Sequence, residues 1–449
     1  MKTIAIIITI MCCCLMFVVK RETKAALLVM GAMTLTLVYV PVVPLHRANY
    51  LLPVAFLLSE WNHLEQHLRE LLRTPHLWGP LLLVSVSALI AALTSPYVSV
   101  GSFFQSELVF KYFALAYAFW AVKDARSLKP VVRVSLWCLV ALTAVGLLNE
   151  LTRNATFVNE LTVGQTSAIH EDLALGDVYA ERSRFRVQSM FKSPFDYGYT
   201  CVLILLLHLY AWHRGLEKWG PALIALGCCL FGVIACECRV VWVCCILSVC
   251  SFYIWCFPLN RSILLGIVVV VALIFSYSTI EIVEQKVDRV TDIFKENPTV
   301  KGSSIGMRMG QLTMTIFYIQ GHELLGRGHG YWAASRSQGR GGVQGLKGME
   351  SVVFYFLLER GVVGLLMWMA FYAWILCLFW QNRQREVFLT GLGASLLTAY
   401  ILFAVGTGEL GSVYPTMLLL GMTMKAIDGS QRWKRILVLL LRIMNSRKK

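Results

Sequence analysis

Residues 387–405 read VFLTGLGASLLTAYILFAV, a run of nineteen residues without a charged side chain. A helix rises about 1.5 Å per residue, so a run of this length crosses the ~30 Å hydrocarbon core of a bilayer. Similar runs recur along the chain, which is 57% hydrophobic and 15% charged, with a mean hydropathy of +0.64. Soluble domains carry about 25% charged residues. The composition therefore predicts an all-α polytopic membrane protein rather than two or three soluble domains.

Apolar runs of this kind occur twelve times, and a shorter one, Tyr50–Ser59, leaves the count at twelve or thirteen. The twelve runs cover residues 3–19, 25–43, 77–95, 103–122, 130–149, 195–212, 221–235, 240–257, 262–278, 352–380, 387–405 and 413–424. Lys and Arg mark the cytoplasmic side of short loops. Basic residues concentrate in alternate connections, which predicts that the short basic loops and the basic C-terminal tail face the cytoplasm.

Two long segments then fall on the opposite, extracytoplasmic side. The chain divides into N-terminal spans, a first outer segment, central spans, a large outer loop, C-terminal spans and a basic tail, at 1–150, 151–194, 195–280, 281–350, 351–425 and 426–449. Both outer segments carry arginines, which the bias of short loops does not explain. The formal net charge of +15 lies largely between apolar runs, so it indicates topology and anionic ligands rather than nucleic acid.

Basic side chains cluster near the end of the first outer segment, at Arg184, Arg186 and Lys192. Arginine suits phosphate because its planar guanidinium donates two parallel hydrogen bonds to an oxyanion. These residues are therefore candidates for binding a phosphorylated substrate. The alternative is that they anchor the segment to anionic lipids or form a solvated charged surface.

A second charged feature, Glu237-Cys238-Arg239, separates two apolar runs with almost no loop between them. A charged pair in this position is costly unless protein or water surrounds it, which makes Arg239 a functional candidate. The alternative is a helix-end arginine that extends to the lipid headgroups. The fourteen cysteines lie almost entirely inside apolar runs without a paired CxxC arrangement, so the sequence predicts neither a zinc site nor a disulfide framework.

The large outer loop contains a third set of candidates. Arg308 precedes an apolar stretch, and Gly326-Arg327-Gly328-His329-Gly330 then indicates a tight turn with two basic side chains. Glycines allow a ligand to approach the backbone closely, although no Gly-Lys-Ser/Thr follows as in a P-loop. Glu350 stands where the chain re-enters the membrane. A carboxylate among arginines is either a general base or half of a structural ion pair.

The order of these features resembles that of the bacterial O-antigen polymerase and ligase superfamily. Four segments carry the resemblance: Arg186-Val-Gln-Ser-Met-Phe-Lys-Ser-Pro194, Glu237-Cys238-Arg239, Arg308 followed by Gly326–Gly330, and Glu350-Ser351 followed by Leu358–Gly364. They are similar, in turn, to the family's outer-loop arginine before an aromatic residue and a proline, its Ser-Arg between two short spans, its arginine-to-glycine turn, and its loop exit before a Glu-x-Gly-x-x-Gly span. The resemblance is firmest over the second half of the chain.

This resemblance implies a GT-C-like glycosyltransferase of the bacterial inner membrane, with its site on the periplasmic side. The donor would be an oligosaccharide repeat unit on undecaprenyl diphosphate, and the acceptor another lipid-linked unit. Arg186 and Arg239 would hold the diphosphate, and Glu350 would take the acceptor's proton. Further contacts to the diphosphate or glycan would come from Arg184, Lys192, Arg308, Arg327 and His329. The resemblance implies no cofactor and no metal, since arginines can stabilise the charge of the diphosphate.

One difference from the family bears on the choice between its activities. Ligases place a histidine, usually His-Asn, where Glu350-Ser351 stands here, so the sequence favours a polysaccharide polymerase over transfer to lipid A core or to protein. A flippase or transporter of lipid-linked sugars would also need basic groups, but it should show ionisable residues deep in several spans or two similar halves. A non-catalytic scaffold is a further alternative. A polymerase of this kind would work with a chain-length regulator and a flippase.

Overall fold

The computed structural model describes residues 2–36, 38, 48–97, 104–155, 185–258, 260–261, 305–332, 334, 349, 351–408 and 412–428. Within these ranges the chain is helical and forms no strand, which confirms the predicted all-α class. Two of the sequence-predicted site residues, Arg184 and Glu350, lie outside the described residues, as does the apolar run at 262–278.

The described part of the chain forms fourteen α-helices. In chain order they are α1 (Lys2–Val18), α2 (Arg21–Thr34), α3 (Ala48–Ser59), α4 (Leu64–Leu72), α5 (Pro75–Leu93), α6 (Ala114–Ala121), α7 (Leu128–Thr152), α8 (Pro194–His213), α9 (Trp219–Ala235), α10 (Arg239–Cys256), α11 (Ile305–Ile319), α12 (Val352–Asn382), α13 (Val387–Thr407) and α14 (413–428). A π-helical segment, Phe104–Tyr112, leads into α6, and short 3-10 turns lie at Trp61–His63 and Ala125–Ser127.

Six helical segments are long and apolar enough to cross a membrane. They are α5, the continuous segment Ala125–Thr152 that contains α7, α8, α10, α12 and α13, and each coincides with a predicted span. Four others are apolar but shorter: Thr3–Val18, Tyr50–Ser59, Leu108–Ala121 and α9. The protein is thus a multi-pass membrane protein. The total of twelve or thirteen spans stays a prediction, and the helix that covers the start of the predicted run at 25–43 ends at Thr34.

Large apolar side chains cover the outer faces of several helices. On α1, Ile4 is 62% exposed and Phe17 is 58% exposed, and on α12 Leu366 is 57% exposed. Soluble monomers rarely expose extended apolar patches, whereas lipid tails are an apolar solvent for them. These faces are therefore the surfaces that the bilayer covers.

Helices α8 and α13 form the centre of the bundle. Every residue of α8 from Tyr197 to His208 is buried, and α13 packs against α8, α10 and α12. The Tyr199 ring stacks on Phe403 of α13 with centroids 4.3 Å apart, and its hydroxyl lies 2.9 Å from Thr416 Oγ1 of α14. A buried aromatic ring whose hydroxyl also finds a partner fixes the relative position of three helices.

The helix ends collect at two faces of the bundle. Helices α8, α10 and α12 begin, and α9 and α13 end, at the face that holds Arg186, Arg239 and Arg308, which we name the arginine end. Helix α2 begins, and α3 and α14 end, at the face that holds Lys24 and Lys425, which we name the opposite end. The side of the membrane that each end faces stays a prediction.

Candidate active site at the arginine end

The segment before α8 carries Arg186 to the arginine end. Val187, the next residue, donates its N–H to the carbonyl oxygen of Ala235 at the end of α9, at 3.1 Å. Ser189 Oγ donates to the carbonyl oxygen of Leu142 in α7, at 2.6 Å. The segment is therefore fixed to two helices, and the side chain of Arg186 is partly buried beside them.

The start of α8 follows from local sequence chemistry. Ser193 Oγ accepts a hydrogen bond from the N–H of Phe195, and Pro194 occupies the first turn, where the missing N–H would have no helical partner. Lys192 stands directly before this cap and is exposed. The cap thus sets where the loop ends and holds Lys192 at the same end of the bundle as Arg186.

Arg239 begins α10 directly after a tight turn. Helix α9 ends at Ala235, and Glu237 in the turn adopts a φ of +50°, a left-handed conformation that is uncommon outside glycine. Trp242 Nε1 donates to the carbonyl oxygen of Val233 at 2.6 Å, which ties the two helices together. Arg239 is therefore held at a helix N-terminus, where the backbone N–H groups and the guanidinium both favour an anion.

Arg308 of α11 reaches the same place from the large outer loop. Its Nη2 donates to the carbonyl oxygen of Gly406 at 2.7 Å, near the C-terminal end of α13. A Cβ atom placed on Gly406 would lie 2.6 Å from Cγ1 of Val240, the residue after Arg239. Arg308 and the first turn of α10, which begins with Arg239, thus both meet the last turn of α13. This hydrogen bond orients the guanidinium group of Arg308 at the end of α13.

The exit of the large outer loop lies beside the same turn. Gly408 has a φ of +81°, and a Cβ atom placed on it would lie 3.7 Å from the carbonyl oxygen of Met349 and 3.8 Å from the backbone nitrogen of Ser351. Ser351 caps α12 through its side-chain oxygen. The start of α12 is thereby placed next to the end of α13. The predicted base, Glu350, is not among the described residues.

Helix α12 is interrupted inside its apolar length. Gly361 has φ +65° and ψ −169°, which removes hydrogen bonds on both sides of it. A segment of the outer loop, residues 321–330, which we name the glycine turn, lies against this break. Backbone bonds of 2.9–3.2 Å join them, from Val362 to Glu323, Val363 to Leu324, Arg327 to Leu358 and Gly328 to Glu359. Non-helical backbone at membrane depth needs such partners within the protein.

Two glycines permit this close approach. A Cβ atom on Gly326 would lie 2.5 Å from the backbone nitrogen of Arg360, and one on Gly361 would lie 2.3 Å from the carbonyl oxygen of Leu324. Both residues also have a positive φ, of 73° and 65°. A side chain at either position would collide with backbone atoms, which cannot move aside as the end of a flexible side chain can. Gly326, which the sequence associates with a ligand, therefore brings the loop against α12 at Gly361.

The glycine turn places His329 beside a buried carboxylate. His329 Nδ1 lies 2.9 Å from Glu359 Oε2 and 3.2 Å from the Tyr355 hydroxyl. Glu359 is 1% exposed, and its Oε1 accepts a hydrogen bond from the backbone N–H of Trp332 at 3.3 Å. The imidazole is thus held against α12 by two side chains that are one helical turn apart.

Arg327 contacts the two residues Tyr318 and Tyr331, which flank the glycine turn, rather than the last turn of α13. Its Nε donates to the carbonyl oxygen of Tyr318, and its guanidinium lies 5.4 Å from the centroid of the Tyr331 ring. The structure thus divides the predicted residues into two groups. Arg186, Arg239 and Arg308 lie around the ends of α9 and α13, whereas Arg327 and His329 lie along the first turns of α12.

Glu359 is not among the residues predicted to form the site, although it stands in the Leu358–Gly364 motif. The available signal was an acidic residue inside an apolar run, which is costly unless the fold pairs it. Its partner, His329, lies on the other side of the loop exit in sequence. Only the folded glycine turn brings the two together.

Comparison with known proteins places the family. The model of the O-antigen ligase family matches residues 224–369, roughly a third of the chain. The match runs from α9 into α12 and includes Arg239, Arg308, the glycine turn and Glu359, whereas Arg186 and Lys192 precede it. No curated protein matches the chain. The match over residues 224–369 supports the predicted O-antigen polymerase and ligase superfamily, and members of the O-antigen ligase family act on lipid-linked oligosaccharides.

Proposed function

We propose that this protein polymerises a polysaccharide by transferring an undecaprenyl-diphosphate-linked oligosaccharide to a lipid-linked acceptor repeat unit. The observation that carries the proposal is that Arg308 and the first turn of α10, which begins with Arg239, meet at the last turn of α13. The loop with Arg186 is fixed to the adjacent end of α9. The family match supports the substrate class. Arg184, Lys192, Arg327 and His329 extend the contact to the diphosphate and glycan.

The reaction makes one bond and breaks one. A hydroxyl oxygen of the acceptor attacks the anomeric carbon of the donor, and the bond from that carbon to the diphosphate oxygen breaks with its electrons leaving on the diphosphate. Arginines aimed at the growing charge stabilise the transition state, and removal of one such donor typically costs about 10²–10³-fold in rate. We expect no metal requirement, because guanidinium groups supply this charge. The acceptor's proton passes to a base, for which the sequence nominates Glu350.

The choice of polymerase over ligase rests on Glu350. The ligases that the sequence resembles carry a histidine at this position of the motif, and this chain carries glutamate. An acceptor that is itself a lipid-linked unit gives chain growth, whereas transfer to lipid A core or to protein gives a single capped product. We therefore place the chain with the polymerases of the superfamily.

The proposal also covers the protein's setting in the cell. We propose a GT-C-like arrangement of twelve or thirteen spans in a bacterial inner membrane, with the arginine end in the periplasm and the basic tail in the cytoplasm. The alternation of basic loops supports this orientation. A flippase would deliver the lipid-linked units to that side, and a chain-length regulator would limit the product.

A transfer assay tests the proposal. Purified full-length protein in detergent, given undecaprenyl-diphosphate-linked repeat units and a chelator, is expected to form a ladder of products. Arg239→Ala should reduce this ladder by about 100-fold or more. Arg214→Ala is the matched control, because this arginine lies at the other end of α8 and pairs with Glu386 at 3.4 Å. Its ladder should be normal.

The products separate the alternatives. A single capped product on lipid A core or on a peptide, without a ladder, would identify a ligase. Movement of lipid-linked units across a vesicle bilayer without bond formation would identify a flippase. A ladder of normal length from Arg239→Ala would contradict the role of the arginine end.

A further inference from the structure

We propose that α4 lies along the surface of the membrane at the opposite end and that the lipid bilayer covers its outward apolar side. Three side chains form this surface, which we name the outer apolar side: Trp61 in the 3-10 turn before α4, and Leu68 and Leu72 in the helix. The inference goes beyond the proposed function, because it assigns a lipid contact to a short connecting helix.

The side of α4 that faces the protein is polar. His67 is buried, its Nε2 lies 3.3 Å from Glu60 Oε2, and its ring stacks on Trp120 of α6 with centroids 5.2 Å apart. Glu70 contacts the ammonium group of Lys425 in α14. His67 and Glu70 are three residues apart, so they share one face of the helix. This face is therefore bound to charged and aromatic groups of the bundle.

The side of α4 that faces outward carries large apolar side chains. Leu72 is 73% exposed, Leu68 is 46% exposed and Trp61 is 65% exposed. In a soluble protein, a surface helix turns its apolar side to the core and its polar side to water. The reversed order in α4 is favourable where an apolar medium covers the outward side, because apolar surface then leaves water.

A charged strip borders the outer apolar side. Glu65 and Arg69 form an exposed ion pair one helical turn apart, and Arg73, directly after the helix, is exposed as well. Successive residues of a helix are rotated by about 100°, so Leu68 and Leu72 lie on one flank of the outward side and the two arginines on the other. An apolar stripe beside a charged strip is typical of a helix in the membrane interface, with its apolar side about 5–10 Å into the headgroup boundary.

The connections of α4 place it where the chain enters the membrane. Helix α5, which is long and apolar enough to span a membrane, begins at Pro75, directly after the loop that follows Leu72. Leu58 near the end of α3 and Trp78 in the first turn of α5 are exposed apolar side chains on either side of α4. The outer apolar side is thus continuous with apolar surface on both neighbouring helices. Tryptophan is enriched at the membrane–water boundary, which is where the inference places Trp61.

Depth-dependent fluorescence quenching tests the inference. Full-length wild type and Trp61→Phe are reconstituted in vesicles of phosphatidylcholine that carries bromine either near the headgroup end or near the middle of its acyl chains. The fluorescence difference between the two proteins reports on Trp61. Bromine near the headgroup end should quench this difference more strongly than bromine near mid-chain, so the ratio of the two quenching constants should exceed one.

Trp137 provides the matched control. It is 68% exposed in the middle part of the apolar segment Ala125–Thr152. The difference between wild type and Trp137→Phe should be quenched more strongly by bromine near mid-chain. The same two lipid preparations should therefore give ratios on opposite sides of one for Trp61 and Trp137.

Three results would overturn the inference. Quenching of the Trp61 signal by acrylamide in water and by neither brominated lipid would show that water covers this side. Protection from all three quenchers would show that protein, such as a second copy of the chain, covers it. Stronger quenching from mid-chain would place α4 inside the hydrocarbon core. If Trp61→Phe does not fold, Leu72→Trp adds a fluorophore on the same side, and its added signal must show the headgroup depth. The readout does not depend on glycosyl transfer, so failure of the proposed function would leave it unchanged.

Discussion

The two ends of the bundle hold their basic side chains in different ways. At the opposite end, cations meet carboxylates. Lys24 Nζ lies 2.6 Å from Glu60 Oε1, the other oxygen of that carboxylate lies 3.3 Å from His67 Nε2, and Lys425 contacts Glu70. These contacts join α2, the end of α3, α4 and α14. Here opposite charges compensate each other and connect helices.

At the arginine end, the described contacts of two arginines run to backbone carbonyls. Arg308 donates to Gly406, and Arg327 donates to Tyr318. A carboxylate neutralises a guanidinium, whereas a carbonyl oxygen only orients it. The contacts at the opposite end thus join helices through opposite charges, and those at the arginine end orient the guanidinium groups of Arg308 and Arg327.

The pair of His329 and Glu359 fits this contrast. It is a carboxylate contact at the arginine end, yet its partner is the one side-chain type that ordinarily changes charge near neutral pH. A carboxylate beside an arginine would cancel a fixed charge.

The largest expected effect is on stability at the opposite end. Lys24→Met leaves Glu60, whose side chain is 8% exposed, with less compensation for its charge. Breaking a buried pair from one side costs about 3–5 kcal/mol of unfolding free energy. Thermal unfolding in detergent measures the loss. The double variant Lys24→Met/Glu60→Gln removes both charges and should recover most of the stability. A single variant as stable as the wild type would refute the structural role of this pair.

Next in size is an effect on catalysis at the arginine end. Arg308→Ala should lower the transfer rate by about 10²–10³-fold. Thermal unfolding of the same variant shows whether stability falls together with the rate. Arg308→Lys keeps the positive charge but lacks the planar guanidinium group. Its transfer rate should therefore lie between the rates of the wild type and of Arg308→Ala. The contrast with the opposite end fails if Arg308→Ala mainly lowers the melting temperature and leaves the rate of the remaining folded protein unchanged.

A smaller effect is expected where the glycine turn meets α12. Gly361→Ala forces a side chain onto a φ of +65° and against the backbone of Leu324. Strain of this kind costs about 1–3 kcal/mol, so unfolding temperature and transfer rate should fall together. Gly227→Ala in α9 is the matched control, because nothing lies within 4 Å of its added Cβ. Alanine there should be neutral or mildly stabilising. Equal unfolding temperatures and transfer rates in Gly361→Ala and Gly227→Ala would contradict the close approach of the glycine turn to α12.

The main features of the fold could be predicted because their causes are local. Apolar length identified the six helical segments that can cross a membrane. The apolar run predicted at 195–212 begins one residue after Pro194, where α8 starts behind its Ser193 cap. Alternating basic loops placed Arg186 and Arg239 at the same side, and the structure brings their segments together at Ala235.

The break in α12 could not be predicted in the same way. Apolar residues continue on both sides of Gly361, so the run at 352–380 reads as one helix. The contacts that define the break are non-local, as is the pair of Lys24 and Glu60 at the opposite end. The charged residues inside apolar runs were the visible sign, but their partners depend on tertiary packing.

The smallest expected effect is a loss of stability at acidic pH, and it concerns the opposite end. Burial disfavours ionisation of Glu60, but hydrogen bonds from His67 and Lys24 and the charges of Lys24 and Arg21 outweigh it and lower the pKa of Glu60 from 4.5 to about 2. A carboxyl with a lowered pKa in the folded state stabilises the fold above its unfolded pKa and loses that contribution as pH falls through its folded pKa. The melting temperature should therefore fall between pH 4.5 and about 2, and more steeply for the wild type than for Glu60→Gln. Other carboxyl groups titrate in both proteins, so their difference is the quantity to measure. Parallel curves across this range would show that Glu60 does not carry the acid sensitivity of the opposite end.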